Sequence, residues 1–295
     1  MQEKSLESFD GTRIVYQTGG EGERWLIVAN GYGGTFCAWA EIFDLLAPHY
    51  RLLLWDYRGL YRSGIPADRG RLRIEDSCRD LDLLMEAEGI ERMVLAGWSV
   101  GVQVALEQYR RRPETVEALL LIHGAHGKVL HRSVDGKLAA LLLPPAVAAL
   151  RVAAPVVGPA LLPLLRGLAR SPLALRAASL VGVVHGQPPS FHDALKGVLT
   201  LDYGVYATMG LYADEHDADD LLPSIGVPTL VTAGSNDRIT PTRVGRYQAS
   251  RIPGATYFEV PSGTHYTVME FPRLMANRIH GFLQDRLPQT PLVRR

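Results

Sequence analysis

Short apolar runs recur along this chain and alternate with stretches in which apolar residues return every three or four positions. The runs at residues 5–9, 13–18, 25–29, 51–55, 93–96, 118–123, 229–233 and 255–260 predict strands. Helical spacing with polar residues on the opposite side covers 39–46, 74–88, 100–111, 242–250 and 272–287. Runs apolar on both faces, separated by such helices, predict an α/β chain with a mostly parallel eight-stranded sheet flanked by helices. Asp10-Gly11 between the first two runs reads as a hairpin, which puts an antiparallel pair at the sheet edge. The rhythm breaks once. From Gly127 to about Glu215 no strand pattern appears and Leu, Ala, Val and Pro dominate. The chain therefore divides into a first part at 1–126, an inserted stretch without strands at 127–215 and a second part at 216–295.

Candidate chemistry lies at strand ends. Ser99 sits in Gly97-Trp98-Ser99-Val100-Gly101, after the apolar run 93–96 and before the helical stretch from 102. Five residues that turn a strand straight into a helix force the middle one into a strained, left-handed backbone, and side chains two positions away on either side would collide with the turn. Glycines at 97 and 101 remove both collisions. The serine oxygen is then held at the tip, and the Val100 amide, first in the helix, points where an oxyanion would form.

A hydroxyl needs a base, and an imidazole base needs a carboxylate to fix its tautomer. The strand at 229–233 opens into Gly234-Ser235-Asn236-Asp237, with Thr240 and Pro241 as the expected N-cap and first position of the next helix. The strand at 255–260 runs into Pro261-Ser262-Gly263-Thr264-His265. Both residues fall on the sheet rim that carries Ser99, in the chain order Ser, Asp, His expected of three groups hung from strand ends of an open α/β sheet.

With these residues the chain resembles the α/β-hydrolase superfamily over 1–126 and about 216–295. Asn30-Gly31-Tyr32-Gly33-Gly34-Thr35 stands where that family carries a His-Gly loop after its third strand, and residues 56–64 resemble its Asp-x-Arg-Gly turn. Asn30 replaces a usual His and Tyr61 a usual Gly. The resemblance implies that the Tyr32 amide is the second oxyanion donor beside that of Val100, that Glu270 is a structural hydrogen-bonding residue, and that 127–215 is a helical cap over the site. Dehalogenases and epoxide hydrolases of this fold need a carboxylate nucleophile, and position 99 is Ser.

The expected function is thus a serine hydrolase cleaving a carboxylic ester, or a related acyl bond, of a hydrophobic substrate through an acyl-enzyme, with no cofactor and no metal. Thioester cleavage, acyl transfer and perhydrolysis use the same parts. A reading of another class is a slow-turnover receptor or lipid carrier on a hydrolase scaffold; a burst of one product followed by silence would mark it.

Composition narrows the partners. Lys plus Arg and Asp plus Glu number 31 each, so no net field favours nucleic acid. Two cysteines, Cys37 and Cys78, make no disulfide framework, and the first residues lack the pattern of a signal peptide, so a cytoplasmic location is expected. Residues 138–165 contain one charge, Arg151, and five prolines, which predicts short helices rather than a membrane span. Their apolar faces either line an acyl tunnel, pack on one another or touch a membrane surface. His123 and His126 end a strand near the rim, one of them expected to contact substrate or hinge the insertion. His185, His192 and His216 are expected to face solvent or be satisfied in the core.

Overall fold

The structure, a computed structural model, describes residues 1–132, 137–169, 171–180 and 182–288. Parts of the predicted insertion, residues 133–136, 170 and 181, lie outside them. The strands are β1 (Gln2–Glu7), β2 (Arg13–Gly19), β3 (Trp25–Ala29), β4 (Arg51–Trp55), β5 (Met93–Trp98), β6 (Val116–Ile122), β7 (Thr229–Gly234) and β8 (Thr256–Val260). They form one eight-stranded sheet in the order β1-β2-β4-β3-β5-β6-β7-β8. The β1–β2 and β2–β4 pairs are antiparallel and the rest parallel, so the Asp10-Gly11 hairpin lies at the edge. Asp10 Oδ1 accepts the Thr12 amide at 3.1 Å, and Gly11 takes φ +79° to close the turn.

Side chains alternate between the two faces, as the strand period demands, except where β6 slips against β5 between Val116 and Ala118. Ile27, Leu53, Leu95 and Leu119 point to one core; Leu26, Leu52, Val94 and Leu120 point to the other. Helices α1 (Ala40–Leu46), α2 (Ile74–Glu88) and α3 (Gly101–Arg111) precede the insertion, and α2 with α3 covers the first core. Between β6 and β7 the described residues form α4 (Val129–Arg132), α5 (Lys137–Ala169), α6 (Pro172–Leu180), α7 (Pro189–Val198) and α8 (Tyr203–Glu215). After β7 come α9 (Thr242–Arg251), α10 (Thr267–Glu270) and α11 (Pro272–Arg286), and α11 packs with α1 over the second core. Helix α2 stops at Gly89, left-handed at φ +64°, whose successor Ile90 donates back to Met85 O at 2.8 Å.

Two local expectations are corrected. Residues 138–165 do not break into short helices: α5 runs 33 residues through Pro144, Pro145, Pro155, Pro159 and Pro163. The last three fall four apart on one stripe that is exposed at each proline, so their ring clashes with the preceding turn lie on a single side of the helix. Thr240 is not the N-cap of α9; Pro241 holds that position, and the side-chain oxygen that closes the turn belongs to Asp237.

The turn after β4 anchors the edge hairpin. Arg58 is fully buried, with Nε donating to Asp80 Oδ2 on α2 at 2.8 Å and Nη1 to Asp10 Oδ2 at 2.8 Å. Ser63 Oγ donates to Asp56 O at 2.6 Å and accepts the Val15 amide at 2.9 Å, which fastens the same turn to β2.

Candidate active site

Only Ser99 and Val100 separate β5 from α3. Ser99 takes φ +57°, a left-handed backbone unfavourable for a residue with a Cβ. A Cβ on Gly97 would run into the Gly101 carbonyl, and one on Gly101 into the Ala29 carbonyl, so the turn admits nothing larger at either place. His265 Nε2 lies 2.8 Å from Ser99 Oγ, and His265 Nδ1 lies 2.9 Å from Asp237 Oδ2. The three residues predicted from separate strand ends are thereby brought into one hydrogen-bonded chain. Asp237 and His265 are buried, and Asp237 Oδ1 accepts the Ile239 and Thr240 amides at 2.8 and 2.7 Å. Burial pushes the Asp237 carboxyl up, but the fields and donors of His265 and His123 outweigh it and hold the group below the usual carboxylate range.

The histidine loop is held from three sides. Trp98 Nε1 donates to His265 O at 3.0 Å. Glu270 accepts the Thr264 amide at 2.9 Å and, from the insertion, the His185 amide at 2.6 Å. His123 follows the end of β6, near the rim, as its position after the strand predicts. It is buried behind the carboxylate rather than on the cavity wall, with Nδ1 3.5 Å from Asp237 Oδ2 and Nε2 2.6 Å from Thr267 Oγ1. Burial pulls its imidazole below the ordinary histidine range although Asp237 works against this, so it stays neutral. The β6–β7 register places it there: the His123 amide donates to Thr232 O at 3.0 Å, which sets it beside the strand that carries Asp237.

His126 also lies off the cavity wall, at the neck of the insertion. Its carbonyl accepts the Ala218 amide at 2.8 Å, and Gly127 bridges Asp217. His216 is satisfied in the core, with Nδ1 3.2 Å from Gln103 Nε2 and Nε2 3.2 Å from Glu107 Oε2. His185 stacks on Phe271 at 5.3 Å.

A cavity of about 500 Å³ opens over Ser99. Tyr32 and Val100 lie on its wall beside Ser99 and His265. Asn30 does not reach it; its Oδ1 accepts the Gly31 amide at 3.0 Å and Trp39 Nε1 at 3.1 Å, which fixes the glycine loop from behind. Leu143, Val147 and Leu150 of α5, Leu195 and Val198 of α7 and Tyr206 of α8 close the other side. Among the described residues on this wall, Arg238 is the one formally charged side chain. Burial raises Tyr32 and Tyr206 above the usual phenol range, so both remain neutral. The arrangement can move a proton from a hydroxyl onto an imidazole beside an apolar chamber. No group of three or more potential metal ligands occurs among the described residues.

A sequence model of the alpha/beta hydrolase fold matches residues 24–272. The chain belongs to the α/β-hydrolase fold family. Among curated proteins it is similar to a putative carbamate hydrolase RutD of Azorhizobium caulinodans, at 26% identity over 272 residues, 91% of this chain and 94% of that one. A putative non-heme haloperoxidase of Mycobacterium phage D29 is 28% identical over 295 residues, 98% of both chains. Among solved structures, a thermophilic esterase from Thermogutta terrifontis superposes with a TM-score of 0.76 at 22% identity, covering 97% of this chain and 99% of that one. These three cover 91%, 98% and 97% of this chain.

Proposed function

We propose that the protein is a serine hydrolase that cleaves a carboxylic ester, or a related acyl bond, of a hydrophobic substrate. The observation that carries this reading is the Ser99–His265–Asp237 hydrogen-bonded chain opening on an apolar cavity. Ser99 Oγ attacks the carbonyl carbon while its proton passes to His265 Nε2. Negative charge collects on the carbonyl oxygen, where the amides of Val100 and Tyr32 receive it, each worth ~3 kcal/mol when well aimed. His265 returns the proton to the leaving alcohol. A water then gives a proton to His265 and attacks the acyl carbon, releasing the acid and restoring Ser99. Asp237 accepts from His265 Nδ1 throughout and keeps Nε2 turned to the serine. A carbamate, the substrate class in the name of the Azorhizobium relative, would present the same carbonyl. The leucines and valines of α5 and α7 favour an ester with an alkyl part.

Ser99→Ala is expected to abolish turnover and labelling by a serine-directed phosphonate while the protein stays folded; a folded, fully active variant would remove the mechanism. Substrate class is read from p-nitrophenyl esters of increasing acyl length, kept monomeric. Each methylene buried against the α5 wall should raise kcat/KM by up to ~0.8 kcal/mol, about fourfold, until the cavity is full. Activity highest on acetate and falling with length would point to a small substrate instead.

A further inference from the structure

Helix α5 is a wall with two apolar sides. Leu143, Val147 and Leu150 meet the cavity, and the helix packs on α8. Much of its other described surface is exposed: Leu141 is 70%, Val152 71% and Val156 79% accessible, and none of its described side chains is fully buried. Helix α6, in contact with α5, adds exposed Leu173 and Leu180. A run of bulky aliphatic side chains in water is unfavourable, and patches of this kind mark contact surfaces. The stretch Ala140–Leu161 is long and apolar enough to cross a membrane. Crossing would strip α5 from α8 and unroof the cavity, and it would carry Arg151 to mid-helix in hydrocarbon.

Charge says what covers this face. From residue 137 to residue 192 the chain carries Lys137, Arg151, Arg166, Arg170 and Arg176 and no carboxylate, although the whole chain is balanced at 31 of each sign. Arg151 and Arg176 are exposed. A second copy meeting this face about a two-fold axis would set the exposed Arg151 and Arg176 against a surface whose two helices, α5 and α6, carry no carboxylate. An anionic bilayer satisfies both features: aliphatic side chains enter the acyl boundary, and arginines snorkel to the phosphates.

We infer that α5 lies flat on an anionic lipid surface, with its outer face in the bilayer interface and its inner face over the cavity. This docking stands apart from the hydrolytic reading, because no residue of the Ser99 chain takes part in it.

The test is flotation of the full-length protein with vesicles of phosphatidylcholine alone and of phosphatidylcholine with phosphatidylglycerol. Binding is expected to be stronger to the second and to weaken as salt rises from about 0.1 M to about 1 M. The double variant Val152→Asp/Val156→Asp should lower the partition coefficient at least about tenfold, with unchanged thermal unfolding and unchanged hydrolysis of a short soluble ester. Ser99→Ala should bind vesicles like the parent protein, so a failure of the hydrolytic mechanism would leave the docking result standing. Absence of binding, equal binding to both vesicles, or binding unmoved by the double variant overturns the inference. So does a lipid-free dimer that the double variant dissociates, which would assign the face to a second copy.

Discussion

Asp237 shows how much a single side chain is asked to do. One oxygen faces His265 at 2.9 Å, while the other accepts two amides of its own turn and so cannot swing away. Asp237→Asn keeps the shape but offers an amide that can donate to Nδ1, which turns the neutral imidazole to the tautomer with a hydrogen on Nε2, unable to take the serine proton. The expected loss in kcat is roughly 10⁴-fold, measured on any ester the parent hydrolyses. A loss under tenfold would assign the acid elsewhere. Ser99, Asp237 and His265 were legible in the sequence because each follows a recognisable strand, and strand ends of a parallel sheet share a rim. His123 was legible only as a strand-end residue. Its place behind Asp237 depends on the β6–β7 register, and sequence spacing carries no register between strands more than a hundred residues apart.

At the scale of elements, the strands were legible because each is a short apolar run, and the covered faces then divide its residues between the two cores. Helix α5 was misread. A rule that charges each proline separately misses that Pro155, Pro159 and Pro163 share one stripe. The turn after β4 was recognised by its Asp-x-Arg-Gly pattern, and its physical content is the ion pair between fully buried side chains, Arg58 and Asp80. Arg58→Met leaves Asp80 buried without its partner and is expected to cost about 3–5 kcal/mol. The pair replaced together, Arg58→Met with Asp80→Leu, should recover most of that loss, since apolar side chains of similar volume need no desolvation. Urea midpoints of the two variants decide it: equal destabilisation would mean that Arg58 acts through Asp10 and the hairpin instead.

Across the whole molecule, the neck where the insertion leaves and rejoins the sheet couples stability to pH. His126 sits there, buried and stacked on Tyr247 at 5.3 Å, with Nε2 3.3 Å from Asp219 Oδ1 but without the alignment of a hydrogen bond. Burial, aided by Arg132 and opposed by Asp219 and Asp217, lowers its pKa to about 4. The unfolded chain would bind a proton at the ordinary value near ~6.5. Between those two values the unfolded state therefore holds the extra proton, and stability falls as pH drops through the window. The full loss from this one group is of order ~3 kcal/mol. His126→Phe preserves the stack and removes the titration, so its unfolding free energy should change less steeply than the parent's from pH about 6.5 to about 4.5, by close to one proton. His123, buried and neutral behind Asp237, contributes in the same direction and remains in the variant, which therefore still loses some stability in acid. Denaturant melts at a series of pH values give both slopes. Parallel curves would mean that His126 is not held neutral at the neck.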